Sequence, residues 1–542
     1  HAMSKLPAFS ARSYDFVEYV PVKNWIAGEW REATTGKSMP VENPRWGKAL
    51  SSVPLSGAED VDLAVRAGER AQKSWGQTPM RERAQVFYKL KQLLERDLEE
   101  LAWLVTHENG KNIEDARASV EKAIECAEFG AGLPNGGGPG ELLEVSRGVV
   151  CKEIHEPLGV VAGITPFNFP LMVPLWMLPQ AIVGGNAFVL KPSEQVPLCS
   201  MKLAQLLKEA GLPDGVFNVV NGSVDVVNAL CDHPTIRAIG FVGSTKVAKL
   251  VYARSAATGK SALCLGGAKN HLIVVPDADP KLSVDNIVAS FTGATGQRCM
   301  AASVLVAVGD VEHVLGPVVE KAKQLETGKE IGPVINAAAR ERIERYVSEA
   351  EKAGAKLLVD GRGKKGGPDG YWTGVSVIDG VTTEMGAWQD EIFGPVLSIV
   401  RVKNLEEAIT LENSHPYGNA AAIFTTSGAV AEHVIRRVEA GMVGVNIGVP
   451  VPREPFGFGG WNQSKFGHGN LTGLDGFRFW TRPRKVTVKW ELQTDTTWMG
   501  GGPSSFALGS GPSAEPAASL QHGIRATRIP WPTSPSPSTT SC

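Results

Sequence analysis

The sequence predicts an α/β fold in which helices cover a mostly parallel sheet. From residue 160 to residue 256, short apolar segments typical of buried strands alternate with longer segments of helical periodicity. Polar residues follow each apolar segment, as expected where parallel strands end at a ligand-binding edge. The chain of 542 residues is also too long for a single hydrophobic core, so we expect two or three domains.

The N-terminal part of the chain begins with short strand-like segments over residues 20–56. Helical periodicity begins at Ala58 and continues through residues 81–104, where apolar residues recur at intervals of three and four. Charged residues occupy the other face, so this helical stretch is expected to pack on a larger body. The glycine-rich segment 135–140 predicts a turn, and residues 148–155 predict a half-exposed strand.

Consecutive strand–helix pairs predict the parallel sheet itself. The predicted strands span residues 160–164, 187–190, 216–220 and 238–242, and the predicted helices span residues 171–183, 198–210, 225–231 and 247–256. The polar segments that follow the strands are residues 165–168, 191–194, 221–222 and 243–244. Their position predicts a dinucleotide site, although the GxGxxG fingerprint of such sites is absent.

A second α/β region is predicted from about residue 272 to about residue 470. It contains a predicted helix at 337–353 and Cys299, which stands between a glycine-rich segment, 293–296, and a strand-like segment, 304–308. A thiol held at the end of such a loop, open to a cleft, is placed as nucleophilic cysteines are. A lone cysteine is nevertheless more often a buried packing residue, so the surrounding pattern has to decide between the two.

Charge and cysteine content argue against several classes of protein. The chain has 55 basic and 57 acidic residues, a formal net charge of −2, and therefore no basic excess that would predict nucleic-acid binding. Its 7 cysteines form neither a CxxC motif nor a cluster with histidine, which predicts reduced thiols in the cytoplasm and no metal site. Residues 157–190 are uncharged, but prolines interrupt them too often for a membrane span.

The composition changes at the C-terminal end of the chain. Residues 485–490 alternate as a strand does. From Trp498 to Cys542, by contrast, Gly, Pro, Ser, Thr and Ala dominate, and almost no apolar periodicity remains. Such a segment does not build a core of its own, so it is predicted to be an extension outside the folded domains.

Five short motifs give the chain its resemblance to a known family. They are Thr165-Pro-Phe-Asn-Phe-Pro170, Lys191-Pro-Ser-Glu194, Phe241-Val-Gly-Ser244, Gly296-Gln-Arg-Cys299 and Glu391-Ile-Phe-Gly-Pro395. Each motif is weak alone, but together and in this order they resemble the aldehyde dehydrogenases over nearly all of residues 20–490. Segments 166–170, 268–271 and 297–300 resemble in particular the CoA-acylating malonate and methylmalonate semialdehyde dehydrogenases.

The resemblance implies an aldehyde dehydrogenase-like α/β fold with a Rossmann-type NAD domain, an α/β catalytic domain and a small β oligomerisation element. The implied boundaries are residues 1–145 and 158–271 for the NAD domain, 146–157 and 480–497 for the oligomerisation strands, 272–479 for the catalytic domain, and 498–542 for the C-terminal extension. The resemblance also implies a homo-oligomer, a dimer or a tetramer. We hypothesise that the extension runs along a neighbouring subunit; a disordered segment is the alternative prediction for this composition.

The resemblance assigns the chemistry to Cys299. Its thiolate would attack the aldehyde carbon, while the Asn168 side-chain amide and the Cys299 backbone N–H would hold the resulting oxyanion. Hydride transfer to the nicotinamide would then leave a thioacyl-enzyme. On sequence alone, Asn168 fits equally an Asx-turn before Pro170.

NAD is the cofactor that the resemblance implies. The residues implied to bind it are Thr165, Phe167, Lys191, Ser193, Glu194, Gly243, Ser244, Glu391 and Phe393. Glu194, with Lys191, would accept hydrogen bonds from the adenosine ribose and repel a 2′-phosphate, which favours NAD over NADP. Ser244 stands near a predicted helix start that suits the pyrophosphate. Glu391 would hold the nicotinamide ribose, unless it merely caps a helix or turn.

In the second half-reaction the chain departs from the hydrolytic members of the family. Those enzymes carry a Glu before a Leu-Gly-Gly-Lys segment, and its carboxylate activates the deacylating water. In the matching segment, 263–269, the Glu position falls on Cys264 or Leu265. CoA brings its own thiol and needs that base less, so release of the acyl group to CoA is predicted. Slow hydrolysis with water activated by another group is the alternative.

The predicted substrate is a small semialdehyde or a simple aldehyde. Arg298, next to Cys299, and Lys122, where acylating relatives carry Arg, are the cations implied to face a terminal carboxylate. Lys lacks the bidentate fork of Arg, which argues against strict malonate-type specificity, and Arg117 lies near Lys122 in sequence. A broadly specific hydrolytic aldehyde dehydrogenase and a non-catalytic structural protein on the same fold are the alternative predictions.

Overall fold

The computed structural model describes residues 12–136, 141–146 and 148–489. The chain divides into two compact units, of which the larger holds the described residues up to 142 and from 151 to 486. The predicted C-terminal extension, residues 498–542, lies outside the described residues, as does most of the predicted turn at 135–140. None of the described helices is both long enough and apolar enough to cross a membrane.

The N-terminal region consists of two antiparallel strand pairs followed by four helices. These elements are β1 (Asn24–Ile26), β2 (Glu29–Arg31), β3 (Ser38–Asn43), β4 (Lys48–Pro54), α1 (Ala58–Trp75), α2 (Met80–Arg96), α3 (Leu98–Asn109) and α4 (Ile113–Gly136). The predicted helical stretch from residue 58 to residue 104 is therefore corrected to three helices. Gly76 ends α1, and Pro79, which has no N–H to continue a helix, precedes α2. Asp97, with φ −100° and ψ 16°, separates α2 from α3.

The middle of the chain contains the predicted strand–helix pairs. Its elements are β5 (Glu141–Ser146), β6 (Val149–Pro157), β7 (Val160–Ile164), α5 (Met172–Val183), β8 (Ala187–Lys191), α6 (Leu198–Glu209), β9 (Phe217–Val219), α7 (Val224–Asp232), β10 (Ile236–Val242), α8 (Thr245–Ala257) and β11 (Ser261–Leu265). All of the predicted pairs are confirmed, to within a few residues at each end. β7 and β8 are buried along their whole length, which explains why their sequences are almost purely apolar.

The second α/β region begins at residue 270. Its elements are β12 (Asn270–Val274), α9 (Pro280–Thr292), β13 (Ala302–Val308), α10 (Glu312–Lys323), α11 (Ala337–Lys352), β14 (Lys356–Val359), β15 (Ser376–Asp379), α12 (Gly386–Gln389), β16 (Val396–Val402), α13 (Leu405–Ser414), β17 (Tyr417–Gly418), β18 (Ala420–Phe424), α14 (Gly428–Ile435), β19 (Met442–Val445), β20 (Trp461–Asn462), β21 (Lys465–Phe466), α15 (Gly473–Phe479) and β22 (Thr481–Lys489). The helix predicted at 337–353 is confirmed as α11.

Each α/β region has its own sheet. The first sheet has the strand order β2-β1-β9-β8-β7-β10-β11-β21, and its central strands β7 to β11 are parallel. The second has the order β14-β15-β16-β13-β12-β18-β19, with a parallel centre as well. β22 lies beside β6 in a separate small sheet, where Arg484 pairs with Glu156 at 2.6 Å. The domain boundaries given above stay predictions.

Close packing at the centre of the first sheet fixes the strand ends that carry the site. At Gly163 in β7, a Cβ would lie 2.5 Å from the Phe188 ring, so the neighbouring strands approach only because glycine is there. Phe188 in turn meets Trp480 edge-on, with ring centroids 5.7 Å apart. The carboxyl ends of β7, β8 and β10 are therefore held side by side at one edge of the sheet.

Candidate active site

Cys299 lies on the loop between α9 and β13. The loop begins with a short 3₁₀ turn, Gly293–Gly296, in which Ala294 has a left-handed backbone with φ 52°. Such a conformation costs about 1–3 kcal/mol in a residue with a side chain, so the surrounding structure has to impose it. At Gly296, with φ 69°, a Cβ would come within 2.0 Å of the Gly394 carbonyl oxygen, and only glycine fits there.

Two asparagine side chains fix the Cys299 backbone from the second sheet. Nδ2 of Asn270 in β12 donates to the Cys299 carbonyl oxygen at 2.7 Å. Nδ2 of Asn419, just before β18, donates to the same oxygen at 2.9 Å. Both asparagines are buried, and their strands are paired neighbours, so the position of Cys299 is tied to the sheet and not only to its own loop.

Two cavities meet at Cys299. The larger cavity, of about 650 Å³, lies at the carboxyl ends of β7, β8 and β10. The smaller cavity, of about 350 Å³, lies between α4, α5 and residues 447–458. Cys299, Phe169 and Trp176 line both cavities. A nucleophile at this junction can face one ligand in each cavity.

The surroundings of the Cys299 thiol oppose its ionisation. Burial is the main cause and the carboxylate of Glu391 adds to it, so the pKa of Cys299 is raised to about 12. Its own backbone N–H, the N–H of Met300 and the charge of Arg298 act in the opposite direction. The resting thiol is therefore protonated at neutral pH, and its proton has to leave as the nucleophile forms.

The larger cavity contains every residue that the sequence assigned to the cofactor. These residues are Thr165, Phe167, Lys191, Ser193, Glu194, Gly243, Ser244, Glu391 and Phe393. Lys191 Nζ lies 2.8 Å from Glu194 Oε2, which holds the carboxylate at the end of β8. Ser244 is the N-cap residue of α8, so the first turn of that helix, whose backbone N–H groups have no partner within the helix, lies at the cavity.

Glu391 is held against the loop that joins the two sheets. Its Oε1 accepts a hydrogen bond from the Ala268 backbone N–H at 3.0 Å. Burial raises the pKa of Glu391 to about 7, although that N–H and the charges of Lys269 and Arg342 oppose the shift. Lys269 is buried as well and donates to the Asp390 carbonyl oxygen at 2.7 Å. These two hydrogen bonds, from the Ala268 backbone to Glu391 and from the Lys269 side chain to the Asp390 backbone, fix the position of residues 390–391.

Part of the larger cavity was not predicted from the sequence. Val224 and Val227 on α7, Val247 on α8 and Arg342 on α11 also line it. Val224 is 63% exposed. The polar turn at 221–222 pointed to this part of the sheet edge, but no signal in the sequence selected these side chains.

Asn168 is buried and directed at the loop of Cys299. Its Nδ2 donates to the Gln297 carbonyl oxygen at 3.0 Å. The backbone carbonyl oxygen of Asn168 accepts a hydrogen bond from Lys111 Nζ. The ammonium of Lys111 also lies 3.7 Å from the centroid of the Phe169 ring. Burial lowers the pKa of Lys111 to about 7. Sequence reasoning missed Lys111, which comes from a part of the chain far from either motif.

The position of the hydrolytic base is occupied by buried apolar packing. Cys264 and Leu265 are consecutive residues of β11 and point to opposite faces of the sheet. Both are buried in hydrophobic clusters, and burial raises the pKa of the Cys264 thiol far above its usual value. Among the described residues, the carboxylates that line the two cavities are Glu194, Glu391 and Asp115, and none of them lies on β11.

The smaller cavity contains both residues that the sequence assigned to the substrate. Nη2 of Arg298 donates to two backbone carbonyls of α9, at 2.7 and 2.8 Å. Nζ of Lys122 lies 2.8 Å from Glu125 Oε2 and 3.2 Å from Glu454 Oε2. Arg117 pairs instead with a carboxylate on α3 at 2.6 Å and is not among the described residues that line this cavity.

A parallel sheet whose strand ends line a dinucleotide-sized cavity, next to a partly buried thiol, is the arrangement expected of a dehydrogenase with a cysteine nucleophile. The sequence profile of the aldehyde dehydrogenase family matches residues 30–486, and the chain belongs to this family. The family, the enzyme class and the fold predicted from the sequence are thereby confirmed.

Individual relatives are similar over nearly their whole length. Malonate-semialdehyde dehydrogenase 2 of Geobacillus kaustophilus is 47% identical over 477 residues, which cover 86% of this chain and 99% of the relative. The crystal structure of a methylmalonate-semialdehyde dehydrogenase from Oceanimonas doudoroffii is 41% identical with a TM-score of 0.86, covering 88% of this chain and 99% of that one. A putative methylmalonate-semialdehyde dehydrogenase from Sinorhizobium meliloti, complexed with NAD, is 40% identical with the same TM-score of 0.86 and the same coverage of 88% and 99%.

Proposed function

We propose that the protein oxidises a small semialdehyde of the malonate or methylmalonate type, with NAD as hydride acceptor and CoA as acyl acceptor. The observation that carries this proposal is a thiol, Cys299, at the junction of two cavities, with no carboxylate on the strand that would supply a hydrolytic base. The names of the relatives at 47% and 41% identity support the substrate type.

Cys299 is the nucleophile of the proposed reaction. The thiol releases its proton to solvent, its sulfur bonds to the aldehyde carbon, and the carbonyl oxygen becomes an oxyanion. Asn168 Nδ2 carries two hydrogens, of which one goes to the Gln297 carbonyl oxygen and the other is available to that oxyanion. The Cys299 backbone N–H is the second donor. This pair of donors stabilises the charge that develops in the transition state.

The donor set of the larger cavity fits NAD. Glu194 and Glu391 are carboxylates that suit the hydroxyls of two riboses, and the N-terminus of α8 lies in the same cavity for the pyrophosphate. Glu194 is an anion where a 2′-phosphate would come close, which favours NAD over NADP. NAD, when bound, accepts the hydride that leaves the aldehyde carbon.

CoA takes the acyl group from Cys299. Its thiol sulfur attacks the thioester carbon, and the Cys299 sulfur leaves, so that acyl-CoA forms and the enzyme thiol is restored. Water is a poorer nucleophile and needs a base, but β11 brings Cys264 and Leu265 to the place where hydrolytic enzymes carry that base. The absence of a carboxylate on the described strand therefore slows hydrolysis more than it slows transfer to a thiol.

The smaller cavity provides the charge that a semialdehyde carboxylate needs. Lys111 and Arg298 both line it, and their hydrogen bonds go to backbone carbonyls, which leave their positive charge uncompensated by those partners. Asp115 is the acidic residue of the same lining; its carboxylate accepts from the Ala294 backbone N–H at 2.9 Å, and its charge acts on both Lys111 and Arg298. Cations therefore outnumber anions around a ligand in this cavity.

The protein acts in the cytoplasm as a homo-oligomer, a dimer or a tetramer. Buried free thiols at Cys126, Cys199, Cys231 and Cys264 suit a reducing compartment. Among the described residues, β22 forms one edge of its small sheet, a position from which a strand can pair with a second subunit. Light scattering of the purified protein measures the oligomer size directly.

Steady-state kinetics with and without CoA test the proposal. Malonate semialdehyde and propanal are each oxidised at saturating NAD, with NADH followed by absorbance and products by mass spectrometry. We expect CoA to accelerate turnover and acyl-CoA to accumulate in step with NADH. Cys299→Ser is the control that should form neither product. Free acid as the sole product in the presence of CoA would contradict the proposal that CoA is the acyl acceptor.

Hydrolysis is the second candidate function, and one observation favours it. Glu391 lines the larger cavity together with Cys299, and its pKa of about 7 is close to that of an effective general base at neutral pH. A water activated there would release the free acid. Glu391→Gln separates the two candidates when release of the acyl group is measured by itself, on enzyme already acylated at Cys299, because Glu391 is also proposed to bind NAD. The substitution stops a hydrolase that depends on this base but leaves CoA-dependent release of the acyl group in place.

A further inference from the structure

A chain of ion pairs crosses the outer end of the smaller cavity. Arg453 Nη1 lies 2.7 Å from Glu125 Oε2, Lys122 Nζ lies 2.8 Å from the same carboxylate oxygen, and Lys122 Nζ also lies 3.2 Å from Glu454 Oε2. Lys122 and Glu125 belong to α4, whereas Arg453 and Glu454 belong to the loop after β19. The Arg453 side chain is 75% exposed, so these ion pairs lie where the cavity opens to solvent.

Glu454 has few other partners. Its side chain is only 12% exposed, and its hydrogen bonds within the described residues go to Lys122 and, at 3.9 Å, to the Cys126 thiol. Burial disfavours the charge of Lys122, but the hydrogen bonds and charges of Glu125 and Glu454 outweigh it and raise the pKa of Lys122 above its usual value. The positive charge of Lys122 is therefore present and already engaged.

We propose that Glu454 is a specificity-determining residue that competes with the carboxylate of the substrate for Lys122. The inference rests on the proposed function, since it concerns which aldehydes the same cavity accepts. Lys111 and Arg298 are hydrogen-bonded to uncharged carbonyls, whereas Lys122 is neutralised by carboxylates. An aldehyde whose terminal carboxylate approaches Lys122 thus competes with the carboxylate of Glu454, and an uncharged aldehyde does not.

The consequence is a weakened preference for semialdehydes over simple aldehydes of the same size. Malonate semialdehyde and propanal differ chiefly in whether a carboxylate or a methyl group ends the chain. The ratio of their kcat/KM values therefore reports the charge at the outer end of the cavity. This ratio is the specificity that Glu454 sets, whatever accepts the acyl group afterwards.

The test measures that ratio in four variants, with NADH as the readout. Glu454→Gln keeps the size of the side chain and removes its charge, and we expect it to raise the ratio by about fivefold, as for the loss of a partly exposed ionic competitor. Lys122→Met should lower the ratio. In the double variant, Lys122→Met with Glu454→Gln, the gain should disappear, because the cation that Glu454 released is gone. Arg453→Gln breaks the same row of ion pairs without freeing Lys122; because Arg453 is an exposed cation of the cavity lining, the ratio should fall only slightly, and less than in Lys122→Met.

Several outcomes would overturn the inference. An equal change for both aldehydes in Glu454→Gln would mean that the loop had only loosened. A gain that persists in the double variant would place the carboxylate on a cation other than Lys122. A fall in the ratio for Arg453→Gln larger than for Lys122→Met would make Arg453 the receptor. Thermal melting checks folding, and Glu454→Asp, which withdraws the carboxylate from Lys122, should give a smaller gain if Glu454→Gln fails to fold.

The outcome is independent of the acyl acceptor. NADH forms before the acyl group leaves Cys299, so a hydrolase would show the same dependence on Glu454. Product analysis by mass spectrometry, on the same samples, decides between acyl-CoA and free acid. Product analysis therefore tests whether CoA is the acyl acceptor, and the ratio of kcat/KM values tests the role of Glu454. Failure of one claim can be distinguished from failure of the other.

Discussion

The two cavities that meet at Cys299 are built in different ways. The larger one takes its predicted residues from short contiguous motifs at strand ends, such as Thr165 after β7 and Ser244 after β10. The smaller one is assembled from distant segments, with Lys122 on α4 and Arg453 on the loop after β19. The difference teaches that the residues proposed to bind the cofactor can be predicted from local motifs, whereas those proposed to bind the substrate depend on tertiary contacts.

The ion pairs of the two cavities also differ in how far apart their partners lie in the sequence. In the larger cavity, Lys191 and Glu194 pair at 2.8 Å within one turn of the chain, so their geometry is local. In the smaller cavity, Lys122 pairs with Glu454, which is 332 positions away in sequence. Substitutions in the first group should change cofactor use, and substitutions in the second should change aldehyde choice.

The largest expected effect is at the junction itself. Cys299→Ser should lower NADH formation by at least about a thousandfold, because a hydroxyl is a poor unassisted nucleophile. The dissociation constant for NAD, measured by calorimetry, should stay close to that of the wild type, since the larger cavity is otherwise unchanged. Activity within about tenfold of the wild type would move the nucleophile away from Cys299.

Asn168→Ala should have the next largest effect. Loss of the side-chain amide removes one oxyanion donor and should lower kcat by about a hundredfold, with little change in NAD affinity. Kinetics and calorimetry on the same preparation separate the two quantities. A collapse of NAD binding would instead make Asn168 part of the cofactor or folding machinery.

Glu194→Gln tests whether a substitution in the larger cavity changes cofactor use alone. Removing the charge that opposes a 2′-phosphate should narrow the preference for NAD over NADP by about tenfold. The KM for the aldehyde should be unchanged, because Glu194 lines only the larger cavity. If the wild-type enzyme used NADP and NAD with equal efficiency, the role proposed for Glu194 would be contradicted.

The smallest predicted effect is a pH dependence on the substrate side. Because burial lowers the pKa of Lys111 to about 7, its ammonium is charged below pH 7 and loses its charge as the pH rises above 7. The KM for malonate semialdehyde should therefore rise about threefold between pH 6 and pH 8, while the KM for propanal stays constant.

Lys111→Arg is the matched control, since its guanidinium stays charged and should flatten the profile of the semialdehyde. An identical pH profile for the two aldehydes in the wild-type protein would mean that Lys111 does not face the substrate carboxylate.

The sequence predicted the parts of this molecule that depend on local pattern. The strand–helix pairs from β7 to α8 and the family motifs were found because apolar periodicity and strand-end chemistry are local properties. The break at Asp97 was missed, since the apolar repeat of α2 runs into α3 without a proline or glycine to mark it. Lys111 and Glu454 were missed because only the folded chain brings Lys111 to Asn168 and Glu454 to Lys122. The roles of the site residues, as distinct from their positions, stay predictions.

The central claim is that the acyl group waits on Cys299 for a thiol, because β11 provides no base for water. Intact-protein mass spectrometry after mixing enzyme, NAD and propanal without CoA tests it most directly. We expect one equivalent of NADH and a persistent mass increase of one propanoyl group on Cys299, which CoA removes as propanoyl-CoA. Repeated turnover to free propanoate without CoA, with no adduct on Cys299, would contradict the claim.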